Sequence, residues 1–278
     1  MTDKGSFPKP LEAFIVIISS FFLVVLLIQA FIYLFIPDPE QASQSSTSLK
    51  ILITFGEVGL IAVPWFYLKR QNLSLKSSFR WNRIPMKLIV WSIIIGFSIS
   101  VIGDEMDRLI NLLIPAPEFL GQITEALQIH SVWDFLILFI GAVLAAAFIE
   151  ESIIRGFLQL SMEKYQDVTR AIIYASLAWT IIHGMLYWAI QIFLLGIILG
   201  LLAWRSNSII PSFIGHAMNN AAALLFYNIN QEHFRRIYLW GDHVSPVMLI
   251  LALIGLIYGI RAFYQYYQPP FRQPFSEN

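Results

Sequence analysis

Eight stretches of this chain are apolar for about the length needed to cross a bilayer, and that limits its folding options. In lipid an unpaired backbone N–H or C=O has no water to bond, so such stretches must be helices. They run over residues 11–36, 51–68, 88–103, 132–160, 168–184, 188–204, 209–227 and 244–263. Hydrophobic side chains make up 57% of the 278 residues and charged ones 13%, more apolar surface than one water-exposed domain of this size can hide. The expected architecture is therefore all-α: one polytopic integral membrane domain over 1–278, with about eight transmembrane helices around a polar cavity. Its motif core is 132–228, and 264–278 reads as a flexible tail. The first run follows Lys4 and Lys9 but is longer than a signal-peptide core, so it reads as a retained span.

Charge along the chain predicts an orientation. With the N-terminus in the cytoplasm, only Lys50, Arg108, Arg235 and Arg236 fall outside, and the other fourteen Lys and Arg fall inside. The outer segments collect Asp104, Glu105, Asp107, Glu118, Glu125, Asp134, Glu232 and Asp242 instead, and an even number of spans puts both termini in the cytoplasm. The basic loop over 69–87 alternates Leu73, Leu75, Phe79, Trp81 and Ile84 with Lys76, Arg80 and Arg83, which suits either a segment in the inner interface or an ordinary solvated loop. The balanced net charge gives no reason to expect nucleic acid as a partner. With no cysteine, disulfides, thiolate nucleophiles and Cys-ligated metals are all excluded.

An ionisable side chain at membrane depth costs about 2.5–3.5 kcal/mol even on lenient insertion scales, so each needs a partner or a use. The fourth run carries Glu150, Glu151 and Arg155. At 100° per residue Glu151 and Arg155 share a helical face and can pair, whereas Glu150 lies on another face with no evident counter-ion, the setting of a general base. His183 lies deep in the fifth run, and His216 and Asn220, four apart, share a face of the seventh. Rise per residue places these groups at depths that let them meet in one pocket nearer the cytoplasmic half. Glu57, in the second run, is a further intramembrane acid without an assigned role, while His130, His233 and His243 read as solvated surface.

Glu150-Glu151-x-x-x-Arg155, then Trp179 one turn before His183, then His216-x-x-x-Asn220, in that order on successive apolar runs, resembles the CAAX-protease and bacteriocin-processing (CPBP) family of intramembrane glutamic endopeptidases. The resemblance implies an eight-helix fold with a water-filled cavity and a peptidase that uses no metal or other cofactor. Glu150 would activate water with help from His183, His216 and Asn220 would hold the oxyanion, and Glu151 with Arg155 would support Glu150. Its substrate would be a membrane peptide or lipidated protein such as a CaaX end. Trp179 stands where the family more often has Phe, and its larger ring would narrow the implied cavity. Two carboxylates and two imidazoles could instead bind a metal in a helix bundle, although HExxH is absent. A scaffold that holds a partner or a prenyl-like lipid in the same pocket is the alternative outside enzymology; a transporter, without paired broken helices, ranks below both.

Overall fold

The computed structural model describes residues 6–35, 47–229 and 231–267. Each apolar run lies on a helix or pair of helices: α1 (Pro10–Phe35), α2 (Thr47–Gly59) with α3 (Ala62–Arg70), α5 (Met86–Leu113), a rod over Val132–Tyr165, α10 (Val168–His183), α11 (Ala189–Ser206), α12 (Ile210–Asn228) and α14 (Pro246–Tyr266). Six of these are long and apolar enough to cross a membrane: α1, the Lys50–Arg70 stretch, α5, the rod, α11 and α14. The tail beyond Tyr267 lies outside the described residues, whereas 264–266 are still helix. The lipid-side faces of α1 and α14 are rich in exposed Leu, Ile and Phe, among them Leu26, Leu27, Leu251 and Ile254.

Helix ends follow local chemistry. The Asp167 side chain accepts from Arg170 N at 3.0 Å to start α10, and Ser131 accepts from Asp134 N at 3.1 Å to start the rod. Gly184 adopts φ +65° after His183, which stops α10 there and leaves the histidine in its last turn. The rod is not a uniform α-helix. Segments α7 (Val132–Leu138), α8 (Ala146–Glu151) and α9 (Gln159–Tyr165) are separated by π-helical turns over Phe139–Ala145 and Ser152–Leu158, so regular 100° spacing does not describe this span. Wide turns of this kind recur beside functional sites.

Small residues set the helix contacts, as expected where no hydrophobic drive separates helix from lipid. α5 packs on α12 and α14, and α10 packs on α11, which packs on α12. A Cβ on Gly96 of α5 would reach the Met218 side chain at 2.7 Å and the Gly215 backbone at 3.1 Å; one on Gly196 would reach Ser176 at 2.9 Å. Buried Ser92, Ser100 and Ser176 return their hydroxyls to carbonyls of their own helices at 2.6–2.8 Å, so they add no unpaired polar group.

Several sequence expectations need correction. The third span continues ten residues past Gly103, because Arg108 pairs with Asp104 one turn before it at 3.1 Å and the charges ride on helix. The second span breaks at Leu60–Ile61, where Ser20 Oγ donates to Leu60 O at 2.6 Å. The 69–87 loop is buried in the protein at its centre, which an ordinary solvated loop would not be. It contains the short helix α4 (Leu75–Ser78), then turns inward so that Phe79 is wholly buried and stacks on Trp81, which stacks on Phe148. Arg80, buried, pairs with Glu163 and donates to Arg155 O at 3.2 Å. Between α12 and α14 lie the amphipathic α13 (Gln231–Tyr238) and a hairpin of β1 (Leu239–Trp240) and β2 (His243–Val244). His243 there is on the surface and also contacts Glu105 at 2.8 Å; His130 is exposed, and the His233 side chain lies outside the described residues.

Gly156 is where the inward loop meets the rod, since a Cβ there would sit 2.6–2.8 Å from the Phe79 backbone. Gly156→Ala should therefore destabilise the fold by about 1–3 kcal/mol through overpacking, read as a lowered thermal midpoint in detergent, while Gly121→Ala, with open space around it, should leave the midpoint in place.

Candidate active site

The site starts from a buried ion pair. Glu151 and Arg155 are both fully enclosed, with Arg155 Nη1 donating to Glu151 Oε1 at 2.8 Å. The same oxygen lies 3.1 Å from His216 Nδ1. A carboxylate only accepts, so Nδ1 carries a proton, and Nε2 is the nitrogen His216 has left for other contacts. The Arg155 guanidinium also lies 4.2 Å from the centre of the Trp179 ring, a stacking worth about 2 kcal/mol when desolvated. One ion pair thus orients α12 through His216 and α10 through Trp179.

Glu150, the next residue, faces elsewhere, as its separation from Arg155 predicts, but it does have a partner. Trp179 Nε1 donates to Glu150 Oε2 at 2.6 Å, a charge-assisted bond worth about 1.5–3 kcal/mol. An indole N–H is a donor that sequence inspection readily files as aromatic packing, and the spacing of Trp179 before His183 was the available signal. His183 Nδ1 contacts the Trp179 carbonyl at 2.9 Å, and since a carbonyl only accepts, Nδ1 bears the proton and Nε2 turns to Glu150. The Nε2 to Oε2 distance of 3.8 Å is too long for a hydrogen bond, so the two atoms stand side by side. Trp179 meets both imidazoles edge to face, at 4.9 Å from His183 and 5.3 Å from His216.

Asn220, one turn after His216, donates Nδ2 to Ala142 O at 3.0 Å, a carbonyl within the first π-helical turn. One amide hydrogen is so committed and the second is free for another acceptor. Asn219 also lines the cavity beside it.

These residues do not share one pocket. A cavity of about 490 Å³ is lined by Trp179, His183, His216 and Asn220 and extends to Asp104, Asp107 and Tyr227. A second, of about 260 Å³, is lined by Glu57, Glu150, Trp179 and His183 with Ile17, Phe21 and Ile154. Trp179 and His183 form the wall between them. The larger cavity reaches toward the C-terminal ends of α5, which carries Asp104 and Asp107, and of α12. Its floor reaches that way because α5 stays helical through Arg108 and carries polar groups beyond the expected end of the span. Glu57 lines the smaller cavity, with Oε2 buried and without a hydrogen-bond partner. Among the described residues no three His, Asp or Glu side chains converge as a metal-ion cage.

Comparison with known proteins bears on the same segment. Residues 132–222, which hold all six of the residues above that carry the expected chemistry, match the family model described as type II CAAX prenyl endopeptidase Rce1-like. Neither the curated proteins nor the solved structures give a match.

Removing Arg155 would leave Glu151 buried beside His216 alone. Arg155→Ala should cost about 3–5 kcal/mol, the penalty for stranding one member of a buried pair, and chemical denaturation in detergent checks it against the exposed control Arg170→Ala.

Proposed function

We propose, from the premise that segment 132–222 belongs to the CAAX-protease family, that this multi-pass membrane protein is a glutamate-dependent intramembrane endopeptidase. The observation that carries the reading is the juxtaposition of the Glu150 carboxylate with His183 Nε2 at 3.8 Å, with Nδ1 tied back to a carbonyl. Two proton acceptors side by side on a cavity wall suit the activation of a water molecule.

In the proposed reaction water attacks the peptide carbonyl carbon as its proton passes to Glu150, with His183 Nε2 orienting the water. His216 in its imidazolium form, held through Nδ1 by Glu151 and donating through Nε2, acts with the free amide hydrogen of Asn220 on the oxyanion. The C–N bond then breaks, and the proton returns from Glu150 to the leaving amine. Glu151 and Arg155 touch no reacting atom and act as positioning residues. No cofactor enters this scheme, and Arg155 within the carboxylate cluster opposes binding of a cation there. The substrate class is a membrane-associated peptide or lipidated chain.

Glu150→Gln should abolish cleavage, a loss of about 10²–10⁴-fold, with the thermal midpoint unchanged, and Asn220→Ala should lower kcat by about 10²–10³-fold. The measurement compares membrane peptides that accumulate with wild-type and variant protein, with and without a chelator. Identical peptide profiles for wild type and Glu150→Gln would favour a scaffold, and loss of activity in chelator would favour a metal.

We further propose that both termini lie in the cytoplasm with the basic loop. An impermeant thiol reagent applied to intact cells should label Arg236→Cys, and should label Lys76→Cys only after lysis; the reverse pattern inverts the topology.

A further inference from the structure

The proposed mechanism needs Glu150 and the oxyanion donors to act on one carbonyl, yet they line different cavities. Glu150 lines the smaller one, and His216 and Asn220 line the larger. What divides them is the pair Trp179 and His183, of which the indole is the larger. Trp179 lines both cavities, is 2% exposed, donates its indole N–H to Glu150, and sets its ring against His183 and His216. Its N–H therefore occupies a Glu150 oxygen that a reacting water would use, and its ring stands between the cavity of Glu150 and that of His216.

We propose that Trp179 is a gating residue and that this structure is the closed form of the site. Substrate engages when the indole leaves Glu150 and swings into the larger cavity, which at about 490 Å³ has room to receive it, so that the two cavities become one. The hydrogen bond to Glu150 and the guanidinium of Arg155 over the ring hold the gate shut. A polar substrate group competes for the same carboxylate, so opening is coupled to binding: apparent affinity is reduced by the fraction of closed molecules. The inference rests on the peptidase reading for the meaning of the gate, but the gate itself is a property of the two cavities.

The absence of cysteine permits a test that needs no cleavage. Ile153 lines the smaller cavity and not the larger and is buried, so Ile153→Cys places a single thiol behind the wall. In protein reconstituted into vesicles, a small charged methanethiosulfonate should leave this thiol unmodified while Trp179 is intact, and modify it when Ile153→Cys is combined with Trp179→Phe or, should that variant not fold, with Trp179→Tyr. On a fluorogenic peptide built around the bond whose cleavage requires Glu150, Trp179→Phe should raise kcat/KM about tenfold by removing the indole hydrogen bond that favours the closed form. A thiol that reacts at the same rate with Trp179 intact would overturn the gate, as would a kcat/KM that falls in Trp179→Phe with the thiol still protected. A thiol that becomes reactive only on substitution of Trp179, in a protein that cleaves no peptide, would uphold the gate and reject the peptidase.

Discussion

The ion pair of Glu151 and Arg155 organises everything around it because neither charge has access to water. Enclosing two such charges is costly, and buried pairs often add little net stability, so their retention points to what they arrange. Glu151 shares one oxygen between Arg155 and His216, and Arg155 places its remaining face against Trp179. Three helical elements meet through two side chains. Moving either charge would release the imidazole of α12 and the indole of α10 together, and with them the two sides of the site.

A second layer of buried polar groups fixes the helix that carries the pair. Arg80 from the inward loop bonds the Arg155 carbonyl and pairs with Glu163, and Gln159 bonds both Glu163 Oε1 and Gly200 O at 2.9 Å. Trp81 Nε1 donates to Ser152 Oγ at 3.0 Å. The basic loop thus acts as a plug that clamps the second π-helical turn from one side. At the other end of the rod, Lys50 reaches Asp134 at 3.4 Å and Gln128 O at 2.7 Å, so a lysine buried near the start of a span anchors the span to its neighbour. Both ends of the Glu-bearing helix are fixed by charge, and its middle is left to the site.

What could be read from the sequence divides along a physical line. Apolar runs were legible because the bilayer leaves helices as their only solution, and the Glu151–Arg155 pairing followed from one helical turn. Where a polar group found a partner that the apolar pattern does not show, on its own helix or on another, the structure departs from the expectation. The charges after Gly103 looked like a loop, but Asp104 and Arg108 pair along a continuing helix. Phe79 and Arg80 suit an interfacial segment or an ordinary basic loop by pattern, but Arg80 turns inward to pair with the partly buried Glu163. Glu150 looked unpartnered because its donor is an indole from another helix, and no periodicity within one helix reveals a contact between two. The π-helical turns at Phe139–Ala145 and Ser152–Leu158 carry no composition that separates them from α-helix.

The two cavities also differ in chemistry, and that bears on what a substrate must be. Around Glu150 the walls are Ile17, Phe21, Leu60, Ile153 and Ile154, with Glu57 the other acid. Around Asn220 they include Asp104, Asp107, Gln191 and Tyr227. On the proposed reading the scissile carbonyl lies at the boundary, within reach of a base on the apolar side and donors on the polar side. A chain bound across it meets hydrocarbon at one end and hydrogen-bonding groups at the other. That asymmetry suits a peptide entering from lipid and leaving toward water, and it makes the Trp179 wall the point at which the two environments are kept apart until a substrate bridges them.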